Sequence, residues 1–206
     1  MDFYTNVTPH GDFLHIRGLM PKSYNTIREA RSAIKRYEEH KNFVYGTDRF
    51  QYQFISDKYS GTVEYDKDKL RIYTIDIEVE SEHGFPNVED HAEKMICITI
   101  KDQVKKQILV WGLADYKPKQ DNVHYIKCID EKDLLIKFIK FWKEYTPDII
   151  TGWNSKYFDI PYLVRRIDKI LGETVKNKMS PWGQVMEDST YYMGKTQTYF
   201  RLHGIA

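Results

Sequence analysis

The chain has 206 residues, 31 lysines and arginines against 30 acidic residues, and a formal net charge of +1. That length suits one sizeable α/β domain with a small appendage, and the charge balance excludes a global electrostatic footprint for nucleic acid, so any such contact must be local. No apolar stretch approaches the ~18 residues of a membrane span, and the N-terminus lacks a signal-peptide pattern, which predicts a soluble, intracellular protein.

Residues 1–69 read as a small α+β unit. Short strands are expected around 13–17 and 52–55, with a helix between them. Ile27, Ala30, Ile34 and Tyr37 recur at helical spacing, and Thr26 with Glu29 has the capping-box arrangement. The stretch 57–68, rich in Tyr, Gly, Asp and Lys, reads as a turn or hairpin. The boundary is placed near Leu70.

Residues 70–206 change character. Strongly apolar strands are expected at 70–79, 95–100 and 107–113, with a weaker one at 124–129. Such near-continuous apolar runs predict strands covered on both faces. A helix follows over 131–145 behind Asp130 as N-cap, then a short strand at 148–151, then a second helix from about Ile160 to Leu171 ending near Gly172. Three strands able to pair as a meander, followed by an α crossover, give a mixed α/β sheet with flanking helices, like that of ribonuclease-H-like nucleases. The tail, 180–206, reads as a Tyr- and Thr-rich hairpin turning at Met193-Gly194-Lys195. Cys97 and Cys128 lie in apolar runs and read as reduced core thiols.

Two segments carry chemistry. In the first strand, Asp76 and Glu78 alternate with Ile75, Ile77 and Val79, so both carboxylates project from one face. Paired carboxylates suit a hard divalent cation, while an edge strand with a solvated face is the plainer alternative. The second segment is Thr151-Gly152-Trp153-Asn154-Ser155-Lys156-Tyr157-Phe158-Asp159. There Asp159 alone reads as an N-cap and Asn154 as a turn residue. If both segments lie at one end of the sheet, three acids converge and a two-metal phosphodiester site becomes possible.

Asp76-Ile77-Glu78 and the Asn154-x-x-x-Phe158-Asp159 arrangement together resemble the first two motifs of the 3'→5' exonuclease domain in family B DNA polymerases. The resemblance extends to Arg28-Glu29-Ala30-Arg31, Tyr59-Ser60-Gly61, Gly84-Phe85-Pro86, Leu171-Gly172-Glu173 and Ser180-Pro181-Trp182-Gly183. These are similar to the polymerases of T-even-type phages and their cyanophage relatives. The resemblance implies that Asp76, Glu78 and Asp159 are catalytic and hold Mg2+ or Mn2+. It implies that Phe85 stacks on bases, with Asn154, Lys156, Tyr157 and Phe158 as further nucleic-acid contacts. A turn aromatic and a solvated lysine are the plainer readings of Phe85 and Lys156. Implied partners are a primer 3' end or single-stranded DNA and the rest of the polymerase, in the cytoplasm of a phage-infected bacterium.

The family's third motif, Tyr-x-x-x-Asp, does not occur in the sequence. Residues 70–206 are therefore expected to be an exonuclease domain truncated before that motif, and feeble alone. A non-catalytic module binding RNA or single-stranded DNA is the alternative. A stand-alone exonuclease using His203 in place of the last acid is a third reading.

Overall fold

The computed structural model describes residues 2–6, 19–40, 44–45, 52, 55, 58–59, 61–62, 64, 66–82, 84–192 and 194–206. Contacts divide the chain into two compact units, Met1–Tyr65 and Asp66–Ala206.

In the first unit, β1 (Asp2–Asn6) is central in a three-stranded antiparallel sheet, between β2 (Leu19–Ser23) and β3 (Val44–Tyr45). Helix α1 (Ile27–Glu39) begins where the Thr26 side chain accepts the Glu29 N–H at 3.2 Å. Its packed stripe differs from the expected one. Ala30 and Ala33 are buried against Tyr24, Ile34 and Tyr37, while Ile27, in the first turn, is 46% exposed. The expected strand at 13–17 lies outside the described residues. Around 52–55 the described residues Tyr52 and Ile55 are helical rather than extended, and the Tyr59 N–H closes a helical turn on the Ile55 carbonyl at 2.9 Å. Spacing in so short an apolar run fits either period, which is why a strand was expected. Within 57–68, Asp66 caps a 3-10 turn over Lys67–Lys69, and no strand occurs among the described residues.

The second unit is built on a five-stranded mixed sheet. Strands β4 (Ile72–Val79), β5 (Met95–Asp102) and β6 (Ile108–Gly112) form the antiparallel meander. Strand β7 (Val123–Lys127) adds parallel to β6, and β8 (Ile149–Thr151) adds parallel to β4, giving the order β7-β6-β5-β4-β8. Helices α2 (Glu131–Glu144) and α3 (Asp159–Leu171) flank it, followed by a short helix α4 (Glu173–Lys176). A hairpin, β9 (Val185–Tyr192) and β10 (Lys195–Leu202), closes the unit. No helix among the described residues is long and apolar enough to cross a membrane.

Exposure along the central strands alternates, contrary to cover on both faces. Tyr73, Ile75 and Ile77 of β4 and Ile98 and Ile100 of β5 are buried in one core with Leu134, Leu135, Phe138 and Trp142 of α2 and Tyr162, Leu163 and Ile167 of α3. The intervening Asp76 and Glu78 are exposed. Polar residues at every second position of β4 make a fully apolar environment on their side costly, so the sheet is two-sided in character. Cys128 is core, whereas Cys97 is only partly buried; neither is disulfide-bonded.

The loop between β4 and β5 is fastened to the helices. A buried ion pair links Glu131 at the start of α2 with Arg166 of α3, whose guanidinium also donates to the His91 and Ala92 carbonyls. Glu131 additionally accepts the Met95 N–H at 2.9 Å, and the Tyr162 hydroxyl donates to the Glu93 carbonyl at 2.7 Å. Arg165 bridges Glu89 in the loop and Glu187 in the hairpin, and lies over the Phe200 ring at 5.7 Å.

Candidate active site

Asp76 and Glu78 stand on one face of β4, opposite Thr99 and Cys97 of β5 in the pairing register. The Cys97 thiol is pushed up by burial, with Glu78 and Asp76 adding to the rise and the Thr99 hydrogen bond opposing it.

Asp159 reaches the same strand from α3. Phe158 is the N-cap residue and makes no side-chain cap bond, whereas Asp159 is the first helical residue. Its Oδ1 instead accepts the Ile77 N–H at 3.0 Å, the backbone amide lying between Asp76 and Glu78. This corrects the N-cap reading: Asp159 is the first helical residue, and its carboxylate reaches across the fold to the Ile77 amide. Asp159 is 3% exposed. Burial raises its pKa from 3.8 to about 6, the Ile77 and Asp159 amides pull it down, and the charges of Asp76 and Glu78 raise it further.

The turn between β8 and α3 delivers Asp159 by close approach. A Cβ on Gly152 would lie 2.7 Å from the Ile75 carbonyl oxygen and 2.9 Å from the Ser155 Cβ, so only glycine lets this turn cross β4. Asn154 takes a left-handed conformation, φ 57°, which asparagine tolerates better than most residues, and its carbonyl accepts the Tyr157 and Phe158 N–H groups, each at 3.0 Å. Gly152→Ala is expected to destabilise the unit by about 1–3 kcal/mol, the usual range for overpacking against backbone. Thermal unfolding checks this, and a variant as stable as the parent would mean that the turn does not need the close approach.

The proposed nucleic-acid contacts separate into two aromatic groups. Phe85, 87% exposed, lies 5.5 Å from Phe158 between ring centroids, and Phe158 in turn lies 5.8 Å from Tyr162. On the other side of the turn, the Lys156 ammonium sits 4.3 Å from the Tyr199 ring centroid and 5.1 Å from that of Tyr157. Tyr157 and Tyr199 meet edge to face at 6.3 Å. Tyr199 was not singled out by sequence. Its signal was only the tyrosine-rich hairpin, and its partner lies on a different element. Trp153, 95% exposed, is a further aromatic beside the turn. His203 lines a cavity of about 440 Å³ with Ile150, Ser155 and Ile160; its Nε2 is buried without a hydrogen-bond partner among the described residues, so that nitrogen bonds to none of the three carboxylates.

The donor set suits a hard cation in chemistry. Its three side chains are carboxylates, and no Lys or Arg among the described residues forms an ion pair with Asp76, Glu78 or Asp159. In the geometry of the described residues, no group of three His, Cys, Asp or Glu closes tightly enough to hold a metal ion. Among the described residues the Ile77 amide is bonded by the Asp159 carboxylate, and Asp76 and Glu78 flank that amide along β4.

Comparison with known proteins gives the family. The family model for DNA polymerase family B, exonuclease domain, matches residues 1–205. The DNA-directed DNA polymerase of Escherichia phage RB69 is 32% identical over 185 residues, which is 78% of this chain and 20% of that protein. The DNA-directed DNA polymerase of Enterobacteria phage T4 is 27% identical over 211 residues, 90% of this chain and 23% of that protein. A DNA polymerase of Pyrococcus glycovorans is 28% identical over 123 residues, 59% of this chain and 14% of that protein. The chain thus spans about a fifth to a quarter of the length of the phage relatives. With its five-stranded mixed sheet, flanking helices and nearly full-length family match, the chain belongs to the exonuclease-domain family of family B DNA polymerases.

Proposed function

We propose that this chain is the N-terminal part of a DNA-directed DNA polymerase and contributes most of a 3'→5' proofreading exonuclease site. One observation carries the reading: the Asp159 carboxylate is brought across the fold onto the amide between Asp76 and Glu78. Placing a buried acid there raises its pKa to about 6, a cost that a divalent cation would offset.

On this reading Asp76, Glu78 and Asp159 hold Mg2+ or Mn2+, with further ligation coming from outside these 206 residues. The cation supplies, when bound, activation of water and charge stabilisation at the leaving 3' oxygen. The chain's own residues bind and orient the strand. Phe85, backed by Phe158, offers an exposed ring on which an unpaired base stacks, an interaction worth about 1–3 kcal/mol per base. Lys156, held over Tyr157 and Tyr199, presents a cation to a phosphate from a fixed position. Asn154 shapes the turn through its carbonyl and leaves its exposed amide side chain for the strand. Residues 1–69 form the N-terminal domain and 70–206 the exonuclease part, acting in the cytoplasm of an infected bacterium alongside the remaining polymerase segments.

The test is Mn2+-dependent shortening of 5'-labelled single-stranded DNA by this chain mixed with the rest of the polymerase sequence. Asp76→Ala is expected to lower the rate at least about 100-fold, the upper range even for indirect perturbation of a metal site. The lone chain is expected to be feeble. Strong cleavage by the lone chain, or a mixture indifferent to Asp76→Ala, would overturn the assignment.

A further inference from the structure

The outer side of the helix layer carries a second feature, unrelated to the carboxylates. Between α2 and the α3–α4 segment lies a cavity of about 620 Å³, lined by Ile136, Ile139, Leu171 and Val175 with Lys140, Lys143, Glu144 and Lys178 around them. A second cavity of about 370 Å³ shares Lys143 and Lys178 and is lined also by Thr146, Thr174, Asn177 and Pro181. The two cavities meet at those lysines and form one groove.

Two details separate this groove from an ordinary solvated surface. Ile136 is 48% exposed at a position where a solvated helix face would carry a polar residue. The charges are also one-sided. Neighbouring lysines on the same helices are neutralised locally, Lys137 by Asp133 at 2.7 Å and Lys176 by Asp168 at 2.8 Å. Lys140, Lys143 and Lys178 form no ion pair among the described residues. Glu144 is the one acid on the rim, so positive charge is in excess there. Three ammonium groups against one carboxylate, around an apolar floor, complement an acidic chain with a bulky apolar side chain.

We infer that the groove between α2 and α3–α4 docks an acidic peptide segment of a partner protein, an apolar side chain filling the cavity over Ile136 and carboxylates meeting Lys140, Lys143 and Lys178. A volume near 620 Å³ lies in the range of pre-formed ligand sites. Nucleic acid shares the affinity for lysine but not the requirement for an apolar anchor, and so is the competing occupant.

The probe is a fluorescein-labelled Asp- and Glu-rich peptide with a central Phe-Leu pair, read by fluorescence anisotropy with this chain at low salt. A matched peptide has Ser-Ser in place of Phe-Leu. The Phe-Leu peptide is expected to bind at least about tenfold more tightly than the Ser-Ser peptide, and to weaken with added salt. The double variant Lys143→Glu/Lys178→Glu and the single variant Ile136→Ser are each expected to weaken it at least about tenfold. All three substituted side chains are exposed, so circular dichroism is expected to remain that of the parent. Equal affinity for the two peptides, no binding, or unchanged affinity in folded variants would overturn the inference. So would displacement of the peptide by a single-stranded oligonucleotide that itself loses affinity in Lys143→Glu/Lys178→Glu but not in Ile136→Ser.

Discussion

Replacing Glu131 by alanine is expected to destabilise the Asp66–Ala206 unit by roughly 3–5 kcal/mol, the range for breaking a buried ion pair from one side. The size follows from what would be left behind. Arg166 is buried, and its Nε and Nη2 both donate to the Glu131 carboxylate. After truncation the guanidinium keeps, among the described residues, the His91 and Ala92 carbonyls, and the Met95 N–H loses its acceptor as well. The double variant Glu131→Met/Arg166→Met removes both charges and is expected to cost markedly less than Glu131→Ala alone. Urea unfolding measures both. A single variant within about 1 kcal/mol of the parent would show that water or rearrangement relieves Arg166, and that the pair does not organise this corner. Because Arg166 also holds His91 and Ala92, the β4–β5 loop is expected to lose amide-exchange protection in the single variant.

On the proposed reading, Asp159→Asn is expected to stabilise the metal-free chain above pH 6 and to abolish DNA shortening by the chain mixed with the rest of the polymerase sequence. In the folded protein the Asp159 carboxyl titrates at about 6 instead of 3.8, chiefly because burial penalises its charge. A raised folded pKa means that the fold favours the protonated acid. The stabilising contribution is therefore complete below pH 3.8 and is lost as pH rises through 6. The full swing is roughly 3 kcal/mol at 1.36 kcal/mol per pH unit of displacement. Asparagine keeps an oxygen to accept the Ile77 N–H but cannot ionise, so its stability stays level across that window. In chelator-treated buffer the variant's advantage should emerge between pH 4 and 6 and plateau above it at about 1–3 kcal/mol. Adding Mn2+ is expected to raise the parent's unfolding midpoint and not the variant's, since ligands stabilise the state that binds them. Parallel stability curves for the two proteins from pH 4 to 8 would sink this account of Asp159.

What the amino-acid string determines by itself about this protein is local and periodic. Alternation in the segment around Asp76 separates two carboxylates from Ile75 and Ile77, and the exposures of β4 follow that alternation residue by residue. Spacing of Leu134, Leu135, Phe138 and Trp142 makes α2 with a buried face, and Asp130 caps it by accepting the Asp133 N–H at 2.8 Å. The hairpin over β9 and β10 forms around Gly194 because a positive φ at its turn suits glycine. Each of these rests on interactions within a few residues.

Other features depend on which distant elements meet. Asp159 looked like a helix cap because that is the nearest use for an acid at a helix start. Packing of α3 against β4 gives it the Ile77 amide instead, and its altered acidity follows from that burial. Glu131 and Arg166 carry no pattern in the sequence, being 35 residues apart and joined only where α2 and α3 converge. Tyr199 becomes a partner of Lys156 because the hairpin folds back beside the turn. A strand's alternation says which side chains share a face, but not what covers that face. The apolar runs of the sheet therefore predicted two buried sides, whereas only the packing of both helices into the core with Ile75, Ile77, Ile98 and Ile100 decided which side is dry and which presents the acids.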